Sequence, residues 1–342
     1  MPTTYGFSWI DIGPTTNDWR YIQFGWDNIF ASYTAGVLGY KDAAYSNLIG
    51  IIKAKSFDGF VPNHADGGSI ASHSEPANGG KVLLELFERF HDSWIVEVLI
   101  DDLIDWNDWQ WRQRRVVGPA GSRCASPGFI TIGGDNCSTD LATATNCPGG
   151  GESGLDQSPC VCDLRGRGFT VRSDCRSLTR CSGDCCACRL WDCPDAKPDG
   201  SGGNCSVYTY RDPESSPDVM QLADMQSTSL FVLDAESIAT LADAINRSDD
   251  GATARLRHRA AQMRSQLSKA WNADANSFAD IYVQTGTFSD RLTPTAFYPL
   301  FAGAATDQQA VAMVEHHLLN ASEFCISVRR QYFSVRSVAS VG

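Results

Sequence analysis

The chain has 342 residues, of which 43% are hydrophobic and 20% are charged, and its formal net charge is −12. This balance excludes an intrinsically disordered chain, and the length suits one large domain or two of ordinary size. The acidic excess disfavours nucleic acid and anionic membrane surfaces as partners, because both are bound through clustered Lys and Arg. We find no apolar stretch long enough to span a membrane and no signal peptide after Met1, so a cytoplasmic location is the default expectation.

The spacing of apolar residues in the first part of the chain predicts helices. A Trp26-Asp27 pair is placed to open an amphipathic helix. Residues 81–90 and 95–111 then keep apolar side chains three or four positions apart, as one buried helix face requires. The two runs are separated by only a few residues, so we expect them to form a helical hairpin.

The middle of the chain has a different composition. Twelve of the thirteen cysteines lie between Cys124 and Cys205, among many Gly, Ser, Pro and Arg residues and with little apolar periodicity. We consider three explanations, in decreasing order of preference: translated non-coding or frame-shifted sequence, a disulfide knot, and a metal-binding module. The spacing of Cys181, Cys185 and Cys188 suits zinc locally, but no second pair follows at a regular interval.

Helical periodicity returns after residue 217. Asp218 with Gln221 reads as a capping box for a helix that continues to Ile245. A turn at residues 248–251 precedes a second, antiparallel helix over residues 256–271, and a third helix is predicted over 307–319. Strand signals are confined to short pieces such as residues 129–132. The architecture is therefore predicted to be mainly α, built from helical hairpins.

Three groups of residues are candidates for chemistry, and each has a purely structural alternative. Trp26 and Asp27 could contact a sugar, or they could be a core Trp beside a helix cap. The acidic residues of segment 152–159 could supply a general acid, or they could form a solvated loop. The Trp side chains of segment 106–111 could form a sugar platform, but their helical spacing favours burial in the core.

Taken together, the segments resemble glycoside hydrolase family 63, which includes mannosylglycerate-hydrolase-like members and belongs to the six-hairpin glycosidase superfamily. The resemblance implies an (α/α)6 toroid. Trehalases share the toroid and one similar motif, but their other signatures are absent. The matching segments are FGWDNIF (24–30), GFVPN (59–63), SEPANG (74–79), ESGLDQSP (152–159), MQLAD (220–224), RLTPTAFYPL (291–300) and HLLN (317–320).

The resemblance also implies site residues. Asp156 would be the general acid that protonates the glycosidic oxygen, and Trp26 and Asp27 would line the sugar subsite. Glu75 stands where the family often has Gln, and it would be a weaker subsite candidate. An inverting mechanism needs a second carboxylate as general base, and we find no motif for it, so we expect the base to lie in a segment that this chain lacks. The implied partner is an α-glucoside or α-mannoside, with no cofactor and no metal at the site.

These observations divide the chain into four predicted segments. Residues 1–159 would be the N-terminal part of the toroid with the general-acid loop, 160–217 an irregular Cys-rich insertion, 218–324 a continuation of the toroid, and 325–342 a divergent tail. We count six or seven of the twelve helices that a closed toroid needs. The first functional hypothesis is a glycosidase acting on a terminal α-glucosyl or α-mannosyl unit, with the isolated chain expected to be inactive. The alternatives are a non-catalytic carbohydrate-binding or decayed fragment, and a trehalase-like enzyme.

Overall fold

The fold was analysed in a computed structural model that describes residues 23–65, 74–132, 209–210, 219–220, 222–247, 251–289 and 292–324. Within these residues the chain forms eight α-helices and ten two-residue strands. The helices are α1 (Gly25–Val37), α2 (Lys41–Ile52), α3 (Gly79–Phe90), α4 (Ser93–Gln113), α5 (Met225–Ala244), α6 (Ala252–Leu267), α7 (Tyr298–Phe301) and α8 (Asp307–Met313). The strands are β1 (Gln23–Phe24), β2 (His64–Ala65), β3 (Arg115–Val116), β4 (Phe129–Ile130), β5 (Thr209–Tyr210), β6 (Val219–Met220), β7 (Leu222–Ala223), β8 (Trp271–Asn272), β9 (Ser277–Phe278) and β10 (Ile281–Tyr282).

Helices α1 and α2 form the first antiparallel hairpin. The Ser32 hydroxyl, midway along α1, donates a 2.6 Å hydrogen bond to the carbonyl of Ala44, near the start of α2. The side chain of Gln23, just before α1, donates to the carbonyl of Asn47, one turn further along α2. The beginning of α1 therefore lies beside the later part of α2, and both hydrogen bonds are buried.

Helices α3 and α4 form the second hairpin, which confirms the helical hairpin predicted from residues 81–111. The connection has two residues, and its first residue, His91, ends α3 in the left-handed conformation with φ of +56°. A left-handed residue after the last turn reverses the chain direction sharply, as a short helix-to-helix connection requires.

Helices α5 and α6 form the third hairpin. Arg264, near the end of α6, pairs with Glu236, in the middle of α5. Arg257, near the start of α6, pairs with Asp243, at the end of α5. The residue number rises along one helix as it falls along the other, so the two helices are antiparallel.

The hairpins lie side by side with their equivalent helices parallel. A methyl group built on Gly25, at the start of α1, would come within 3.2 Å of Glu75, which precedes α3. A methyl group built on Gly36, near the end of α1, would come within 2.3 Å of Leu86, near the end of α3. Helices α1 and α3 therefore run in the same direction, as neighbouring helices of one ring do in a helical toroid.

Helices α2 and α4, the second members of the first two hairpins, are also parallel. The Tyr45 hydroxyl donates a 3.0 Å hydrogen bond to Asp92, and Lys53 pairs at 2.5 Å with Asp102 further along both helices. Two parallel layers of helices follow, with α1 and α3 in one layer and α2 and α4 in the other. Helix α5 packs against both α3 and α4 and continues this arrangement.

A single cluster of apolar side chains fills the space between the helices. Trp106 and Trp109 belong to it, which confirms that these two indoles are core residues rather than a sugar platform. Trp111 is only partly buried, and its ring stacks on Phe231 with centroids 5.9 Å apart. Among the residues that the structure describes, the largest fully buried side chains are those of Trp106, Phe129, Phe231, Phe278, Ile29, Leu48, Ile51, Ile52, Leu83, Leu86, Ile95 and Leu99.

The predicted start of the helix after residue 217 is wrong. Helix α5 begins at Met225, and its N-cap is Asp224, whose carboxylate accepts a 2.5 Å hydrogen bond from the Ser227 amide. The residues just before it are extended instead, because β6 pairs with β5 and β7 pairs with β10. This strand pairing removes residues 219–220 and 222–223 from the helix that the Asp218–Gln221 capping box predicted.

Other boundaries also differ from the prediction. Helix α6 ends at Leu267, and Trp271 lies in β8, which pairs with β9. Helix α8 continues as a π-helical turn to Leu318, close to the predicted end at residue 319. The strand predicted at residues 129–132 is confirmed as β4, which pairs with β3. Eight helices among the described residues exceed the six or seven counted from the sequence.

Most of the predicted Cys-rich insertion lies outside the described residues, including the cysteines proposed as a metal module. The part of the insertion that the structure describes is strand β5. It pairs with β6, which lies after residue 217, the predicted end of the insertion. Cys124, on the turn between β3 and β4, is buried as a free thiol. Of the helices in the described ranges, none is long and apolar enough to cross a membrane.

Candidate active site

Three of the family-like segments meet at the N-terminal end of α1. The Gly25 amide donates a 2.5 Å hydrogen bond to the carbonyl of Asn63, in the turn at residues 59–63. The Asn63 side-chain amide donates to Glu75 Oε1, in the segment that precedes α3. The packing at Gly25 is tight, since a methyl group there would lie 3.1 Å from the Asn63 carbonyl and 3.2 Å from Glu75 Oε2 and would require these neighbours to move by a few tenths of an ångström. We call residues 25, 63 and 75 the α1 junction.

A short strand pair holds the turn against α1. Strand β1 pairs with β2 in an antiparallel register that places Phe24 opposite His64. The two rings are in contact with centroids 5.5 Å apart, and His64 Nδ1 lies 3.1 Å from Asn63 Oδ1. The turn is thus connected to α1 by both main-chain and side-chain contacts.

Trp26 and Asp27, two of the predicted site residues, lie in the first turn of α1, directly after the α1 junction. Trp26 is half-buried and packs edge-to-face on Phe30, with ring centroids 4.9 Å apart. Asp27 is exposed, and a carboxylate in the first turn interacts favourably with the helix dipole. A partly exposed indole therefore adjoins an exposed carboxylate, which is the combination that can pack on a sugar ring and accept hydrogen bonds from its hydroxyl groups.

Glu75, the third described candidate, is held in place by α4. Only 3% of its surface is exposed. Gln110 Nε2 donates a 2.7 Å hydrogen bond to the Glu75 carbonyl, and Trp106 Nε1 donates at 3.2 Å to the hydroxyl of Ser74. The Glu75 carboxylate lies at the N-terminus of α1, where the helix dipole favours negative charge. Its predicted contact with sugar stays a prediction.

Asp156, the predicted general acid, lies outside the described residues. The structure therefore brings together Trp26, Asp27 and Glu75 at one end of α1. Sequence reasoning quoted Asn63 in a motif without giving it a role, and it missed Gln110. Gln110 lies four residues after Trp106, so both face the same side of α4. This spacing was the one available signal that Gln110 faces the segment holding Ser74 and Glu75.

Comparison with known proteins assigns the chain to a family. The model described as the mannosylglycerate hydrolase MGH1-like glycoside hydrolase domain matches residues 20–339. The chain belongs to this family. It is therefore a glycoside hydrolase of the MGH1-like type, and the resemblance stated from its motifs is confirmed. None of the curated proteins compared with the chain matches it significantly.

Solved structures support the same fold for this glycoside hydrolase. A GH63 mannosylglycerate hydrolase from Thermus thermophilus in complex with glucose is 16% identical, with a TM-score of 0.57 over 86% of this chain and 68% of that one. The same enzyme in complex with Tris and D-glycerate is 15% identical, again with a TM-score of 0.57, over 86% of this chain and 70% of that one. A neutral trehalase from Saccharomyces cerevisiae is 17% identical, with a TM-score of 0.50 over 87% of this chain and 53% of that one. At these identities the likeness shows the fold, which is that of helical-hairpin toroids.

Two later family-like segments of the glycoside hydrolase meet at the N-terminus of α5. Asp224 caps the helix, and Asp280 Oδ1 accepts a 2.9 Å hydrogen bond from the Met225 amide. Burial raises the pKa of Asp224. Burial, together with the negative charge of Asp224, also raises the pKa of Tyr298, at the start of α7. Helix α7 packs against α5, which brings segment 291–300 to segment 220–224.

The acidic side chains at these two helix termini interact with protein donors. Among the residues that the structure describes, no three His, Cys, Asp or Glu side chains are grouped as a metal ion would require. The arrangement instead presents carboxylates next to helix N-termini and beside an indole, which suits recognition of a neutral polyhydroxylated ligand.

Proposed function

We propose that this glycoside hydrolase binds a terminal α-glucosyl or α-mannosyl unit at the N-terminal end of α1 and hydrolyses its glycosidic bond with inversion. The observation that carries the proposal is the α1 junction, in which Gly25, Asn63 and Glu75 converge directly before Trp26 and Asp27. A rigid junction supports sugar recognition because a binding site must hold its first contacts in one geometry.

Each of the predicted site residues has a specific role in this proposal. The Trp26 ring packs on the apolar face of the sugar, and the Asp27 carboxylate accepts hydrogen bonds from sugar hydroxyl groups. Hydrogen bonds to an ionised carboxylate are about twice as strong as neutral ones, so Asp27 supplies much of the polar affinity. Glu75 forms the bottom of the subsite. Its carboxylate also accepts a hydrogen bond from the Asn63 side chain and so holds the turn in place.

Asp156 is the proposed general acid. It gives its proton to the glycosidic oxygen as the bond from that oxygen to the anomeric carbon breaks. A water molecule attacks the anomeric carbon from the opposite face and gives a proton to a second carboxylate, so the anomeric configuration inverts. In inverting enzymes the two carboxyl groups are separated by about 6.5–9.5 Å, which leaves room for that water. We assign no residue of this chain to the second carboxylate.

The first substrates to test follow from the structural neighbours. One neighbour is a mannosylglycerate hydrolase that was solved with glucose and with D-glycerate, and another is a trehalase. Mannosylglycerate and trehalose represent the α-mannosyl and α-glucosyl alternatives. Cleavage of trehalose but not of mannosylglycerate would favour the trehalase-like hypothesis.

The experiment is to incubate the purified chain with each of the two substrates and to follow the anomeric protons of the released sugar by NMR. Any release should be inverting, so mannosylglycerate should give β-mannose first, and trehalose should give one β- and one α-glucose for each bond cleaved. Asp156→Asn should abolish release, whereas Asp163→Asn, a neighbouring carboxylate outside the motif, should leave it unchanged. Release that survives in Asp156→Asn would overturn the assigned role. Sugar binding without any release would support the second hypothesis, a non-catalytic carbohydrate-binding chain.

A further inference from the structure

The N-terminus of α3 is capped by a residue from a different hairpin. The N-cap residue Asn78 makes no side-chain capping hydrogen bond to the described part of the chain. The amide of Gly80, in the first turn, instead donates a buried 2.7 Å hydrogen bond to Asp234 Oδ1. The two residues are 154 positions apart, and Asp234 lies in the middle of α5. The first amides of a helix have no partner within the helix, so an acceptor supplied from outside fixes where the helix begins.

The Asp234 carboxylate joins three helices. It is 0% exposed, and its second oxygen accepts a 3.0 Å hydrogen bond from the side-chain amide of Asn107 on α4. The close approach of α5 to α3 requires glycine at position 80. A methyl group there would lie 2.9 Å from Asp234 Oδ1 and 2.5 Å from Ile238 Cγ1.

The same side of α4 holds both ends of the segment between Glu75 and Gly80. Asn107 bonds Asp234, which bonds Gly80. One turn further along α4, Gln110 bonds the carbonyl of Glu75. Residues 75–80 are therefore fixed at one end by Gln110 and at the other by Asp234, and a shift of the α3 N-terminus would move Glu75 relative to the turn at Asn63.

We infer that Asp234 is a positioning residue for the sugar subsite: it caps α3 from α5 and thereby holds Glu75 in the α1 junction. Through this contact the hairpin of α5 and α6 stabilises a site formed by the first two hairpins. The inference rests on the proposed function only for the identity of the ligand, because the positioning of residues 75–80 can be measured without one.

The test uses two variants of the full chain. In Asp234→Ala the carboxylate is removed, so both the Gly80 amide and the Asn107 side chain lose their acceptor. In the double variant Asp234→Asn/Asn107→Asp the new amide oxygen can accept from Gly80 while its nitrogen donates to the new carboxylate. The double variant therefore restores both hydrogen bonds with the carboxylate and amide exchanged.

Hydrogen–deuterium exchange of the peptide covering residues 74–82 is the first measurement. We expect the Gly80 amide to exchange about tenfold faster in Asp234→Ala and to recover in the double variant. Asp243→Asn, on the same helix but paired with Arg257 at the surface, should leave this exchange unchanged. Met263→Ala, in the core of α6, controls for a general loss of stability and should not accelerate exchange at Gly80 selectively.

Calorimetric titration with glucose and with D-glycerate is the second measurement. The dissociation constant should rise about threefold or more in Asp234→Ala and return towards the wild-type value in the double variant. Unchanged exchange at Gly80 in Asp234→Ala would overturn the inference, and so would exchange that the double variant fails to restore. If the wild-type chain binds neither ligand, the proposed function fails, and the exchange data alone decide whether Asp234 positions the segment.

Discussion

Protonation of Asp234 should make the stability of the chain depend on pH. Burial raises the pKa of Asp234 from 3.8 to about 6, although the hydrogen bonds from Asn107 and the Gly80 amide act in the opposite direction. Each pKa unit corresponds to about 1.4 kcal/mol of differential interaction, so a shift of roughly 2 units corresponds to about 3 kcal/mol.

The folded chain should lose stability as pH rises, because it binds the Asp234 proton more tightly than the unfolded chain does. Near pH 5 the folded chain keeps the Asp234 proton, whereas the unfolded chain, with a pKa near 3.8, has released it. Folding therefore takes up a proton, and the stabilising contribution is fully present below pH 3.8 and is lost as pH rises through about 6. The raised pKa of Asp224 acts in the same direction.

Urea unfolding of the wild type and of Asp234→Asn, at several pH values between 4 and 7.5, isolates the contribution of Asp234. The variant cannot titrate at this position, and the contribution of Asp224 is common to both chains and cancels. The free energy of unfolding of the wild type, relative to the variant, should fall by about 2.4 kcal/mol from pH 4 to 7.5, because the unfolded chain is already partly protonated at pH 4. Parallel pH profiles, or a wild type that gains relative stability as pH rises, would refute the reasoning.

Two substitutions test the architecture around the α1 junction. Gly59 has φ of +98°, and a methyl group there would lie 2.5 Å from the Asp105 carbonyl, so Gly59→Ala should lower the free energy of unfolding by roughly 3 kcal/mol. Gly121→Ala is the matched control, because Gly121 has φ of +81° but no atom within 4 Å, and we expect a loss of only about 1 kcal/mol in the same denaturant titration. Gln110→Ala should cost about 1–3 kcal/mol, because it leaves the buried Glu75 carbonyl without this donor, and it should weaken glucose binding measured by calorimetry. Equal losses in the two glycine variants, or full affinity in Gln110→Ala, would contradict the packing described.

Helix periodicity predicted some elements and could not predict others. Helices α3 and α4 each have a polar side, so their apolar residues recur at helical spacing. Helix α2 was not identified, because eight of its twelve residues are buried and a helix buried around most of its circumference shows no apolar stripe. The start of α5 was misplaced because Asp218 and Asp224 are both local capping candidates. Pairing of β7 with the distant β10 decides between them.

The site was predictable as an order of motifs but not as a set of contacts. The segments at 24–30, 59–63 and 74–79 could be matched one by one, and their convergence at Gly25 was implied only by the family resemblance. The contact between Gly80 and Asp234 has no sequence signal, because it joins residues 154 positions apart through a buried side chain. Contacts of this kind depend on how the hairpins pack, which local patterns do not report.

Binding of glucose by the wild type, Trp26→Ala and Trp94→Ala tests the central claim most directly, namely that the N-terminal end of α1 holds the sugar. Trp94 is the matched control, because it is 47% exposed and packs on Tyr45 near the start of α4, away from the α1 junction. By calorimetry we expect saturable binding by the wild type and by Trp94→Ala with the same dissociation constant, and no measurable binding by Trp26→Ala. Wild-type affinity in Trp26→Ala, or an equal loss in both variants, would contradict the account.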